Sequence, residues 1–111
     1  MKTTVLALSA LVAALLLALP ASAAAPTFKG TVGPGFTIKM LSKPKVAGKT
    51  KLVIADKSNI HNFHLTGPGV NVKTTLKAVG TKTFTVTLKK GTYKFICDPH
   101  ASFMKGSFTI R

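Results

Sequence analysis

The sequence predicts an all-β protein, a Greek-key β-sandwich of seven to eight short strands that follows a cleavable signal peptide. Three observations predict it. Apolar residues recur with period two over residues 36–40, 82–88 and 93–97, as half-buried strands require. Glycine and proline clusters (Gly33-Pro34-Gly35, Ala47-Gly48, Gly67-Pro68-Gly69, Lys90-Gly91) punctuate segments rich in Thr, Val, Ile and Phe. No segment after residue 23 pairs a 3.6-residue apolar period with helix caps.

The first 23 residues stand apart from that fold. Lys2 supplies a positive charge, residues 5–19 form an apolar run broken only by Ser9, and Ala21-Ser22-Ala23 puts small residues at −3 and −1 of a cleavage site. That order is a secretory signal peptide. The run is shorter than the roughly 20 residues a membrane span needs. Cleavage after Ala23 leaves residues 24–111, a single domain of 88 residues, a size at which a bound metal often adds stability. The expected location is exported, either periplasmic or extracellular.

Residues 27–32 alternate weakly and read as the first strand. Gly33-Pro34-Gly35 combines free and fixed φ and turns the chain. Residues 36–40 place Phe36, Ile38 and Met40 on one face. Lys43-Pro44-Lys45-Val46 reads as an edge segment, because proline cannot donate to a ladder and lysine discourages edge pairing. Residues 50–55 form a more apolar strand, and a polar loop then leads to a strand over residues 60–66. Gly67-Pro68-Gly69 breaks that strand. Residues 70–79 make an irregular connection with one short strand. Phe84, Val86 and Leu88 alternate with threonines, Lys89-Lys90-Gly91 turns, and Tyr93, Phe95 and Cys97 follow at period two. Phe108 and Ile110 mark the last strand, and Phe63, Phe95 and Phe108 are expected in the core.

The chain carries 16 Lys and Arg against 2 acidic residues, a formal charge of +14. Without Lys2 the domain keeps 15 cations against Asp56 and Asp98, or +13. Such a surface repels its own copies, which suits a soluble monomer, and attracts an acidic protein or an anionic membrane or envelope surface. Neither a recognition motif nor interleaved aromatic and basic residues points to nucleic acid. Cys97 is the single cysteine, so an exported domain cannot use it for an internal disulfide. It must pair between chains, remain a free thiol or bind something.

Its neighbours favour binding. Cys97-Asp98-Pro99-His100-Ala101-Ser102-Phe103-Met104 holds a thiolate, an imidazole and a thioether within eight residues, between two strands that fix the loop ends. Structural zinc and c-type haem attachment both need a second cysteine. A Cys-His nucleophile lacks an identifiable third member and an oxyanion-hole signal. One thiolate, two imidazoles and a distant thioether match the trigonal copper site of two histidines and one cysteine with a weak axial methionine. The second imidazole comes from Ile60-His61-Asn62-Phe63-His64. In a strand His61 and His64 point to opposite faces, so at most one faces the metal. The asparagine after His61 favours His61, with His64 left to packing or the surface.

The segment from Tyr93 to Gly106 resembles the ligand loop of cupredoxins of the plastocyanin and amicyanin branch, and His61-Asn62-Phe63-His64 resembles their His-Asn ligand strand. The resemblance runs from about Thr50 to Arg111. It implies one type 1 (blue) copper ion, with His61, Cys97 and His100 as equatorial ligands and Met104 as the axial one. It also implies that Asn62 ties the two ligand segments together, and that single electrons pass between Cu(I) and Cu(II) through the surface-facing His100. Three residues separate His100 from Met104, against four in plastocyanins and two in amicyanins, and Ile60 stands where these relatives often have proline. Asp98 adds a negative charge beside the thiolate, which favours Cu(II) and lowers the potential. Phe103 lies near His100 and offers an apolar docking contact.

The expected function is therefore an exported electron carrier, not an enzyme, that serves an acidic redox partner. The alternative is an envelope protein that binds or delivers copper without a redox cycle. After cleavage only Met40 and Met104 remain, fewer than a Met-rich delivery site uses. A metal-free adhesion-type sandwich is the third reading. A multicopper oxidase would need more than the three histidines present.

Overall fold

The computed structural model describes residues 2–3 and 24–111. The signal peptide and its cleavage after Ala23 fall, apart from Lys2 and Thr3, outside the described residues. Eight strands build two four-stranded sheets: β1 (Thr27–Val32), β2 (Ile38–Met40), β3 (Gly48–Asp56), β4 (His64–Gly67), β5 (Val70–Lys73), β6 (Gly80–Leu88), β7 (Gly91–Ile96) and β8 (Lys105–Ile110). One sheet runs β2-β1-β3-β6 and the other β5-β4-β7-β8. The chain crosses between them after β3, β5 and β6, which gives the Greek-key sandwich. All pairs are antiparallel except β1 with β3. The single helical element among the described residues is the 3₁₀ turn Asp98–His100.

Period two decides what faces inward. In β3, Thr50, Leu52, Ile54 and Asp56 point into the sandwich while Lys49 and Lys51 point out. In β7, Tyr93 and Phe95 point inward, and the same alternation carries Cys97, one residue past the strand, to full burial. Side chains from both sheets close the core, and within the β5-β4-β7-β8 layer the Phe63 and Phe95 rings stack at 5.5 Å and Tyr93 and Phe108 at 5.2 Å. The strands are thus a frame that delivers the thiol to one end of a packed interior.

Three expectations differ in detail. Residues 43–46 form no strand; Pro44 offers no N–H, and Val46 is left largely exposed. β4 begins at His64 rather than Ile60, because side chains take over the hydrogen bonding upstream. The Phe63 amide donates to Thr74 Oγ1 (2.8 Å), and the Thr74 amide returns to the Phe63 carbonyl (2.9 Å). Gly67 stays in β4, and the break is the two-residue turn Pro68-Gly69, where proline presets φ and Gly69 takes φ +68°.

Three loops meet at one end of the sandwich. They are residues 33–37 after β1, residues 57–63 after β3 and residues 97–104 after β7. The Lys57 amide donates to the Val32 carbonyl (2.9 Å), which joins the first two.

Candidate metal centre

The loop between β7 and β8 is shaped by its own backbone. The Cys97 amide donates to the Met104 carbonyl (3.0 Å), closing the loop at its neck. The His100 amide donates to the Cys97 carbonyl (3.0 Å), and the Met104 amide donates to the His100 carbonyl (2.8 Å). Pro99 stands in the first turn of the 3₁₀ segment, where its fixed φ suits the bend and its missing N–H costs nothing. This winding turns His100 back over Cys97.

His61 arrives from the other side, 1 % exposed at the end of residues 57–63. Cys97 Sγ lies 3.7 Å from His61 Nδ1 and 3.6 Å from His100 Nδ1, and the two nitrogens are 3.1 Å apart. A triangle with these edges has its centre about 2.0 Å from each corner. Bonds from a first-row metal such as zinc run about 2.0–2.1 Å to imidazole nitrogen and about 2.3 Å to thiolate. The three donors therefore fit an ion in their plane with small shifts, and His61, Cys97 and His100 are positioned to hold a metal. A soft donor set of two imidazole nitrogens and one thiolate sulfur suits copper. His61 and Cys97 are buried, and His100 alone of the three is partly open to solvent. Met104 is 1 % exposed at the base of the loop and belongs to the core cluster.

Asn62 stitches the two segments together. Its Oδ1 accepts from the Asp98 amide (2.8 Å), and its Nδ2 donates to Asp98 Oδ2 (2.7 Å) and to the Thr74 carbonyl (3.3 Å). Asp98 Oδ1 faces His64 Nδ1 at 2.7 Å, and His64 Nε2 faces Asn71 Oδ1 at 2.7 Å. The charge that the sequence places beside the thiolate is thus not bare: it is hydrogen-bonded by Asn62 and paired with His64. The Asp98 hydrogen bond, opposed by burial and helped by Asn71, raises the His64 pKa above its ordinary value. Burial acts to raise Asp98, but the hydrogen bonds from His64 and Asn62 outweigh it and hold the carboxyl below the usual range.

Asp56 ends β3 near the same end of the fold. Its Oδ1 accepts from the Ser58 amide (3.0 Å), which turns the chain toward His61, while its Oδ2 is buried without a partner. Burial raises its pKa.

Phe36 is the residue the sequence does not reveal. Its ring packs edge-on against both His61 and His100, with centroids 5.1 Å away in each case, and lies 5.9 Å from Phe103. Both phenylalanines are 59 % exposed. Alternation puts Phe36 on the face of Ile38 and Met40, but β2 starts only at Ile38, so that face runs past the core and over the histidines. His64 and Thr74 are likewise recruited in ways that no local pattern discloses.

The family model described as copper binding proteins, plastocyanin/azurin family, matches residues 31–111, further upstream than the resemblance around the ligand loop. No curated protein sequence matches. Among solved structures the chain is similar to reduced rusticyanin at 1.9 Å (19 % identity, TM-score 0.58, covering 80 % of this chain and 81 % of that one). Reduced rusticyanin studied by NMR is similar too (20 %, 0.57, 77 % and 76 %). So is an amicyanin variant with Cu(I) (15 %, 0.52, 77 % and 82 %). At these identities the likeness is one of fold.

Proposed function

The chain belongs to the plastocyanin/azurin family of copper-binding proteins, the cupredoxins, and from that premise we propose that it is an exported electron carrier. His61, Cys97 and His100, together with Met104, are the residues that would hold one type 1 copper. Copper held there would supply a one-electron couple between Cu(I) and Cu(II). The observation that carries this reading is the convergence of Cys97 Sγ, His61 Nδ1 and His100 Nδ1 within a buried frame.

The rest of the molecule supports that role through rigidity and access. The closed loop neck and the Asn62 clasp hold the donor atoms nearly fixed, so little needs to rearrange when the charge at the site changes. Partial exposure of His100 offers the electron a short way out, and the Phe36 and Phe103 rings beside it give a partner an apolar surface to press against. With 15 Lys and Arg in residues 24–111, the domain would be steered to an acidic redox partner, or held near an anionic membrane or envelope surface. Residues 1–23 read as the export signal, and the working form is a monomer with neither an enzymatic activity nor a nucleic-acid partner.

Voltammetry of the copper-loaded domain tests the proposal. A reversible one-electron wave, with copper retained against a chelator through repeated cycles, is the expected result. Loss of copper to the chelator on reduction, with no reversible wave, would instead mark a copper-delivery protein.

A further inference from the structure

His64 is not a ligand, yet its position is built. It starts β4, with Lys73 opposite it on β5 and Ile96 on β7. Its two ring nitrogens each meet an oxygen, Asp98 Oδ1 and Asn71 Oδ1, both at 2.7 Å. The Asp98 carboxylate only accepts, so Nδ1 donates to it; with the Asn71 carbonyl oxygen turned to Nε2, that nitrogen donates as well, and an imidazole with two N–H groups is a cation. Asp98 directly follows Cys97 and shares its other oxygen with Asn62. One of the two carboxylates in a chain of formal charge +14 is therefore spent on a histidine next to the metal centre.

We propose that His64 is a potential-tuning residue: as an imidazolium it neutralises Asp98 beside the Cys97 thiolate, and loss of its proton couples the redox equilibrium to pH. The inference rests on the copper reading above. When reduced, the site accepts one electron from its redox partner and becomes less positive, which strengthens the hold of His64 on its proton. When oxidised, the site repels that proton. The His64 pKa is therefore higher in the reduced protein, and by linkage the potential falls as pH rises through it.

The surroundings fix the sense of the effect. Asp98 on the ligand loop and Asn71 on β5 favour the cation. Lys73 opposes it from β5, and Lys94 and Lys105 are the further cations on the outer side of β7 and β8. The Asp98 hydrogen bond outweighs these and the partial burial, so the pKa of His64 lies above 6.5.

Two measurements test the idea independently. Nitrogen-detected NMR on the metal-free protein reads the titration of His64, and the expected result is a ring that holds its second proton to higher pH than a free histidine, and to higher pH than it does in Asp98→Asn. A ring that titrates like free histidine, unmoved by Asp98→Asn, overturns the proposal whether or not copper binds. Potentials of the Cu-loaded protein are then followed over the histidine range, about pH 5 to 8 and somewhat above. The wild type should fall toward the alkaline side. His64→Gln, which keeps a donor to Asp98 without charge, should start lower and lose that part of the fall. Asn71→Asp should move the midpoint to higher pH. Identical potential profiles for wild type and His64→Gln overturn the coupling while leaving the copper site intact. A protein that takes up no copper contradicts the functional reading and the coupling with it, and the NMR result still reports the ion pair by itself.

Discussion

Asn62 and Asp98, 36 residues apart, are joined by two hydrogen bonds that use both ends of the Asn62 amide. The amide end donates to the carboxylate, and the carbonyl end accepts from the Asp98 backbone. His61 is adjacent to one residue and Cys97 to the other, so this pair sets the distance between the two ligand segments. Asn62→Leu keeps the branched shape but leaves the Asp98 amide, the Asp98 carboxylate and the Thr74 carbonyl without their partner. The expected cost is about 1–3 kcal/mol of folding stability in the metal-free domain, read by urea denaturation. Copper affinity should fall by roughly 10–100-fold, read by competition with a chelator.

Gly106 faces Phe95 across the β7–β8 ladder, and a Cβ there would run into the Phe95 ring. That ring stacks on Phe63 two residues before Cys97, so Gly106→Ala strains both the core and the neck of the ligand loop. Overpacking of this kind costs about 1–3 kcal/mol. Thermal unfolding of the metal-free domain should show the loss, and an unchanged midpoint would mean that Phe95 can move aside.

How much of this is legible in the sequence depends on the range of the interaction. Alternation along Tyr93, Phe95 and Cys97 is local and correctly aims the thiol inward. The Cys97-x2-His100 spacing is also local, and the 3₁₀ turn around Pro99 realises it. The neighbouring Asn62 singles out His61 over His64, and the structure brings His61 to the cluster. The pairing of His64 with Asp98 spans 34 residues and depends on where β4 begins, which no period encodes. Strand starts are misread where side chains replace the ladder, as Thr74 does beside Phe63. Phe36 follows the alternation of its segment but lies beyond the core, so a correct pattern gives an incomplete environment.

Stability of the metal-free domain should respond to pH through three groups. The raised pKa of His64 contributes stability that is fully present below 6.5 and is lost as pH rises through the folded-state value. The lowered pKa of Asp98 contributes stability that is present above its unfolded value near 3.8 and is lost as pH falls through the folded one. Asp56, raised by burial, acts in the opposite sense, favouring the folded state only at the acid end. Denaturation midpoints measured against pH should therefore decline as pH rises above 6.5 in the wild type, and that decline should shrink in His64→Gln.

Charge steering predicts an ionic-strength dependence. With 15 cations against two acids in residues 24–111, electron transfer with an acidic protein partner should slow as salt rises and the Debye length shrinks below about 10 Å. Stopped-flow rates between low and moderate salt read this directly. A flat profile would assign the charge to solubility alone.

Whether Cys97, His61 and His100 bind copper as a type 1 site can be read from the absorption spectrum of residues 24–111 with one equivalent of Cu(II). An intense thiolate-to-copper band in the red, bleached by ascorbate and abolished by Cys97→Ser, is the expected result. A spectrum showing only weak ligand-field absorption, unchanged by Cys97→Ser, would contradict it.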